Sequence, residues 1–410
     1  MATLTPFRAL RPNPADASRI ASVPYDVVST DEARVLADGN PLSFLRVSRA
    51  EIELPAGTDP HADAVYDRAV QNFAALRRSS LIVEDEASVY LYRLRMGTHE
   101  QTGVAACWAL DEYDRDVIKK HKRTRRDKED DRTRHMIAIG AQTGPVFLTY
   151  RASAPVDEAV RRLSARQPLF DFQAPDDVQH TVWQVGGAER NAIVDAFRPI
   201  QSLYIADGHH RAASAARARD HFCRDRAASP SPGDKADFMT FLGVAFPHDQ
   251  VQILAYNRVV KDLGGRSPAE VFEGVKRNFD VHDGPAAPAR RGEIAAYFDG
   301  RWHTLRARSA AGASDPIRSL DVSILQDQLL APVLGIADVT TDKRIDFVGG
   351  ARGTAELEAL VRSGRAAIAF SMFPVSVSDL IAVSDAGAIM PPKSTWFEPK
   401  LRDGLLSHLI

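Results

Sequence analysis

The chain has 410 residues, of which 44% are hydrophobic and 26% charged, and its net charge is −2. That length exceeds what one hydrophobic core usually serves, so two domains or one elaborated domain are expected. The near-neutral balance argues against a globally basic nucleic-acid or membrane-surface binder. Two cysteines, Cys107 and Cys223, show no pairing rhythm and no CxxC spacing. Both are expected to be buried, inert thiols in a reducing, cytoplasmic compartment. The start MATLTPFRALRPNP lacks the basic region and apolar core of a secretory signal, and no apolar run approaches the roughly 20 residues that span a bilayer.

In chain order, the segment Ser22–Ser29 places Pro24 before Tyr25 and Asp26, a stiff polar loop in which Asp26 is a candidate site residue. Asn40–Val47 is expected as a turn followed by a strand that carries Arg46. Residues 64–78 show helical spacing of Val65, Ala69, Phe73 and Leu76. A hairpin follows, with strands over 87–96 and 102–110. The stretch from Lys119 to His135 holds nine Lys or Arg against four Asp or Glu. Most of such a run is expected as a solvated helix face, with His121, Lys119 and Thr124 as the candidates to hold an anion. Strands at 145–150 and 180–185 and helices near 155–166 and 188–197 lead to a buried strand at 202–206. The alternation argues for an α/β or α+β fold.

That last strand ends in Asp207-Gly208-His209-His210-Arg211, followed by the helical run Ala212–Ala216. A glycine turn that opens a helix leaves unpaired N–H groups at the positive helix end, which suits a phosphate. Gly208 permits close backbone approach, and Arg211 can grip phosphate oxygens with two N–H groups. Asp207 can accept a hydroxyl proton or hold a metal ion, and His209 and His210 can serve as acid/base groups. Adjacent histidines rarely converge on one ion, so metal binding through them is not expected.

The loop at 225–235 is the expected domain boundary. Strands at 238–246 and 251–256, a helix at 268–278 and a hairpin turning at Asp299-Gly300 follow. A polar link at 308–315 precedes a helix at 320–333. The charged, Gly-paired segment Thr341–Gly350 is another candidate to approach a ligand. An αβα unit over 354–386 and a last short strand, 404–410, close the chain. Between them, Met390–Lys400 uses two prolines to present Lys393 with Ser394 and Thr395, a set able to bind a phosphate or carboxylate. Trp396 and Phe397 anchor that loop.

YIADGHHRAASA and MPPKSTWFEPK resemble a widespread bacterial family related to the ParB/sulfiredoxin-like superfold and to the free serine kinases. VPYDVV, NPLSFLRV, IKKH, TGPVFLTY and TDKRIDFVGG extend the resemblance over nearly the whole chain. It implies a ParB-like domain at 80–225, an N-terminal segment at 1–79 packed on it and a C-terminal α/β domain at 236–410 closing the cleft. It also implies phosphorylation of L-serine by ADP, ATP or pyrophosphate with Mg²⁺. Asp207, His209, His210 and Arg211 would handle the phosphates and the hydroxyl. Lys393, Ser394 and Thr395 would bind the amino-acid end, in one cleft with the 207–211 turn. The resemblance places a catalytic glutamate after a Lys-X-His stretch; here Lys122 follows Lys119-Lys120-His121 instead. The base is then Asp207, Glu129 or Asp130, or this reaction is not catalysed. The alternative is a nucleotide-binding ParB-like regulator without kinase activity. A nuclease or an ATP-dependent redox repair enzyme of the same superfold is a third reading. Cys223, about three turns beyond the box, stands too far along the helix to support repair, and no helix-turn-helix pattern follows residue 220.

Overall fold

Strands with apolar side chains on both faces and amphipathic helices alternate in a computed structural model that describes residues 2–227, 237–309 and 315–410. The fold is mixed α/β, as expected, and divides into two units: Met1–Val251 with Pro399–Ile410, and Gln252–Glu398.

The sheet of the first unit contains β1 (Leu4–Thr5), β2 (Val89–Met96), β3 (His99–Ala109), β4 (Ile118–Lys119) and β5 (Val146–Tyr150). It continues with β6 (Phe170–Gln173), β7 (Val178–Val185), β8 (Leu203–Asp207) and β9 (Thr240–Pro247). The order is β4-β8-β5-β9-β3-β2-β7-β6, with β1 on β3. β8 runs parallel to β4 and antiparallel to β5. Helices α1 (Asp63–Ser79), α2 (Arg126–Ile139), α3 (Ala154–Leu163), α4 (Gly187–Phe197) and α5 (His209–Ala227) belong to this unit. Val156, Leu163, Ile193 and Phe197 of α3 and α4 pack with Leu91, Val104 and Trp108 of the sheet. A second cluster joins Val65, Ala69, Phe73 and Leu76 of α1 to Phe44, Val47 and Ile139. The 3.6-residue spacing read from the sequence is therefore a buried face. Ala212, Ala215 and Ala218 are buried on α5, and such small residues let two helices approach closely.

Two elements differ from expectation. Arg46 lies on a short helix, Leu45–Ser48, and not on a strand. Its guanidinium donates to the carbonyls of Ala37 and Asn40, and Phe44, Leu45, Val47 and Ser48 are all buried, so the apolar run packs as a turn of helix. Length and periodicity cannot separate the two for so short a run. The helix expected at 320–333 is an α-turn, Asp321–Leu325, continued by π-type winding over Gln326–Leu330.

In the second unit, β10 (Tyr256–Val260), β11 (Phe279–Asp283), β12 (Glu293–Phe298), β13 (Arg301–Ala307), β14 (Ile345–Gly349) and β15 (Ile368–Met372) form an antiparallel sheet. Its order is β11-β13-β12-β15-β10-β14. The β12–β13 hairpin turns at Asp299 and Gly300, both with positive φ (50° and 75°), which is the hairpin turn expected from Asp-Gly. Ser267 and Glu270 form a capping box on α6 (Pro268–Asn278). Helices α7 (Gly353–Arg362) and α8 (Val377–Asp385) flank β15 in sequence, which is the expected αβα unit.

The units divide at residues 251/252 and 398/399, not at the loop 225–235. β9 is an inner strand between β5 and β3, and the last twelve residues return to the first unit. Of the two expected linkers, residues 228–235 and 310–314 lie outside the described residues.

Candidate functional site

β8 is buried along its length and ends at Asp207, where its register against β5 shifts. Gly208 follows with φ 91°, and α5 begins at His209. A Cβ at Gly208 would stand 3.0 Å from Arg211 Nε, so glycine is required here both by φ and by space. Arg211 is buried. Its Nη1 donates to the Pro145 carbonyl, and its Nη2 lies 3.6 Å from Asp207 Oδ2. Its Nε is buried without a hydrogen-bond partner. Burial disfavours the Arg211 cation, but the charges of Asp26, Asp207 and Asp403 outweigh it and raise the pKa further.

Lys400 Nζ lies 3.2 Å from the same Asp207 oxygen. Burial alone would raise the Asp207 pKa; Lys400, Arg211 and Lys122 outweigh it and hold the carboxyl far below its ordinary range. Asp207 is thus a firmly ionised carboxylate and a weak base.

The two histidines of the turn act as acceptors. His209 Nε2 accepts from the His121 amide at 3.4 Å, and His210 Nε2 accepts from the Arg125 amide at 3.0 Å, just before α2. Both bonds need neutral imidazoles. Burial, then the Lys122 charge, pushes His209 well below its usual pKa; burial also lowers His210. The His121 and His209 rings meet edge to face at 4.5 Å. His121 is fully buried, and burial, His209 and Lys122 depress its pKa strongly. The Ile205 backbone favours its charged form, yet neither ring nitrogen completes a hydrogen bond of ordinary geometry.

Arg211 also lines a cavity of about 40 Å³, together with Tyr25, Arg132, Thr143, Gly144 and Asp403. Arg132 stacks over the Tyr25 ring at 4.2 Å and pairs with Asp131. Asp403 is 3% exposed, and its Oδ1 has no hydrogen-bond partner. Burial, with Asp26 adding to it against Arg211, Arg132 and Arg402, pushes Asp403 up to about 7. The segment carrying Lys400 and Asp403 is clamped by its neighbour Arg402, whose Nε donates to His180 Nε2 at 3.1 Å. That bond fixes the proton of His180 on Nδ1, which donates to Tyr92 Oη at 2.9 Å.

Of the expected site residues, Asp207, Gly208, His209, His210, Arg211 and His121 gather at this turn. Asp26 is exposed, and its charge acts on Arg211, His210 and Asp403. Lys119 is half-buried on β4 opposite Tyr204, and Thr124 is half-buried in the loop before α2. Glu129 and Asp130 both pair with Arg217. Lys393, Ser394 and Thr395 belong to the second unit. There Lys393 has φ 56° and its carbonyl accepts from Arg258 at 3.1 Å. Ser394 Oγ donates to the Pro391 carbonyl at 2.6 Å, and Thr395 is buried.

Sequence reasoning missed Lys400 and Asp403. Glu398–Gly404 holds four charged residues, which by sequence alone is the pattern of a solvated loop, so no local signal marked the two. The charged run is also less solvated than expected. Asp131, Thr133 and His135 are buried; Asp131 accepts from Tyr66 Oη at 2.8 Å, and His135 Nε2 donates to the Val47 carbonyl at 2.9 Å. Cys107 is buried, but Cys223 is exposed on α5. Among the described residues no three His, Cys, Asp or Glu side chains gather to hold a metal ion on their own, and no helix is long and apolar enough to cross a membrane.

The profile of a family described as "Protein of unknown function (DUF1015)" matches residues 4–323. No curated protein matches the chain. Among solved structures it is similar to a conserved hypothetical protein from Pyrococcus furiosus, at 14% identity over 75% of this chain and 95% of that one, with a TM-score of 0.35. It is similar to a free serine kinase in complex with AMP at 14% identity, over 74% and 92% of the two chains, with a TM-score of 0.34. It is also similar to SbnI with a C-terminal truncation from Staphylococcus aureus at 11% identity, over 74% and 87%, with a TM-score of 0.39. Likeness at this level carries no functional weight, so the chemistry rests on the residues themselves.

Proposed function

The chain belongs to the DUF1015 family, and we propose that it is a phosphotransferase that moves a phosphoryl group from ADP, ATP or pyrophosphate to a small hydroxylated amino acid, with L-serine the first candidate. The observation that carries this reading is the turn at Gly208. The start of α5 stands beside the cations Arg211, Lys400 and Lys122, which gather about the Asp207 carboxylate. A helix N-terminus flanked by basic side chains suits a phosphate. Phosphoryl transfer asks a protein chiefly for position and neutralisation, and this site offers both. The amides of α5 would hold the phosphate, and Arg211 and Lys400 would neutralise charge as it shifts to the leaving group. His209 and His210, kept neutral, would hold the 118–126 segment against the turn.

Mg²⁺ usually binds through one or two carboxylates and the donor's own phosphates. Asp207, ionised throughout the neutral range, suits that role, and the cation it held would add charge neutralisation at the donor. The serine-like acceptor, the ParB-like character of the first unit and the part played by Lys393, Ser394 and Thr395 are supported by the DGHHR and PKST motifs.

The test is to incubate the purified protein with Mg²⁺, L-serine and each donor and to assay O-phosphoserine. Product with at least one donor, reduced about 100-fold or more by Arg211→Ala, is expected. One observation favours a second reading, a nucleotide-binding regulator: the carboxylate nearest the turn is a weak base, and Lys122 stands where a glutamate was expected. Nucleotide that raises the melting temperature without any product from any donor would establish that reading in place of the first.

A further inference from the structure

The polar atoms that Arg211 and Asp403 leave without partners define what the adjoining cavity accepts. Asp403 Oδ1 is a buried acceptor and Arg211 Nε a buried donor, and neither has a partner. Their side chains line one cavity with Gly144 and Thr143. A Cβ on Gly144 would come within 2.6 Å of Asp403 Oδ1 and 3.4 Å of Arg211 Cδ, so glycine here lets both side chains pack against the backbone at the cavity wall. A buried acceptor and a buried donor left unpaired cost stability unless a ligand atom serves both. A hydroxyl does so: it donates to the carboxylate and accepts from the guanidinium.

We propose that Asp403 is a catalytic residue which binds the acceptor's hydroxyl and takes its proton, while Arg211 holds the hydroxyl oxygen. This deepens the phosphotransferase reading and rests on it for the chemical step. In that step the O–H bond breaks and the proton passes to Asp403. The freed oxygen forms a bond to the terminal phosphorus of the phosphoanhydride donor. The bond from that phosphorus to the bridging oxygen breaks, and its electron pair stays on the leaving phosphate. The products are a phosphate monoester and the shortened donor. Asp207 cannot compete for the proton, because Lys400 and Arg211 hold it ionised. Arg211, Arg132, Arg402 and Asp26 are the charged groups that bear on Asp403. With burial they set its titration near neutral pH, where a base is most effective.

Two arms test this. In the binding arm, calorimetry compares L-serine with L-alanine, which lacks the hydroxyl. The unaltered protein is expected to prefer L-serine about tenfold or more. Asp403→Asn and Gly144→Ala, the latter displacing Oδ1 without changing charge, should each abolish the preference. Folding of both is checked by their melting transitions. No binding of L-serine, equal affinities for the two amino acids, or a preference retained in Asp403→Asn overturns the proposal, whether or not the protein turns over.

In the kinetic arm, kcat should rise with pH through about 7 in the unaltered protein. Asp403→Asn should lower kcat about 100-fold or more and lose that limb, with the donor's Kd unchanged. Asp207→Asn should keep the limb. A limb that persists in Asp403→Asn overturns the proposal. Absence of product from the unaltered protein overturns the phosphotransferase reading instead, and the binding arm then decides the fate of the Asp403 site.

Discussion

Asp403 and the buried histidines show how single residues are tuned here by burial first and by charge second. An unfolded aspartate ionises near pH 3.9, roughly, whereas folding raises Asp403 to about 7. The native state therefore keeps a proton that the unfolded chain has lost, and stability falls as pH rises between those two values. His121, His180 and His209 act with the opposite sign, since folding lowers their pKa and their contribution is lost as pH drops below the unfolded value. Comparing a variant with the unaltered protein at each pH removes the histidine background. Asp403→Asn should be the more stable protein at pH 8, by about 2–4 kcal/mol at most from a shift of about three pK units. That is several degrees in Tm for a unit of this size, and the difference should shrink toward pH 5. Thermal melts at pH 5, 6, 7 and 8 check it; a variant that is less stable than the parent at pH 8 contradicts the assignment of Asp403 as a desolvated acid. Such a gain in stability on removing a group that a site needs is the usual trade at functional positions.

One element, the run from β8 through Gly208 into α5, carries most of the candidate site. The apolar strand, the glycine and the alanine-rich helix were all legible in sequence because each has its own local signature. Gly208→Ala should cost about 1–3 kcal/mol, since alanine must accept φ 91° and meet Arg211 Nε at 3.0 Å. It should also weaken binding of the phosphate donor about tenfold, because displacing Arg211 removes a charge-assisted contact. Urea titrations and calorimetry with the donor measure the two effects. A variant with unaltered stability would show that the turn is not held in the left-handed region. By contrast, the Asn40–Val47 segment carries no periodicity long enough to choose between strand and helix, and burial on every side decided for helix.

For the molecule as a whole, the first unit is discontinuous: it needs Pro399–Ile410 after the chain has passed through the second. Ser407 exchanges backbone hydrogen bonds with Leu10, His408 pairs with Gln142, and Arg402 donates to His180. A chain ended after Glu398 loses all of these, together with Lys400 and Asp403. Its cooperative melting transition should fall by about 10 °C or more, since several kcal/mol of buried contacts are removed. A synthetic 399–410 peptide should restore part of the loss. Circular dichroism melts with and without the peptide test this, and an unchanged transition in the truncated chain would contradict the role assigned to the tail.

By itself, the sequence determined the α/β class, the amphipathic helices, the Asp299-Gly300 hairpin and the strand–glycine–helix turn at 207–211. Each depends on spacing within about twenty residues, a range over which side-chain direction follows from backbone period alone. Only tertiary structure decided that residues 399–410 rejoin the first unit, that β9 lies inside its sheet, and that Lys400 and Asp403 stand beside a turn nearly two hundred positions earlier. Local propensity carries no information about such pairings. They arise because charged side chains that folding buries cost free energy until partners are found, and those partners lie on elements distant in the chain.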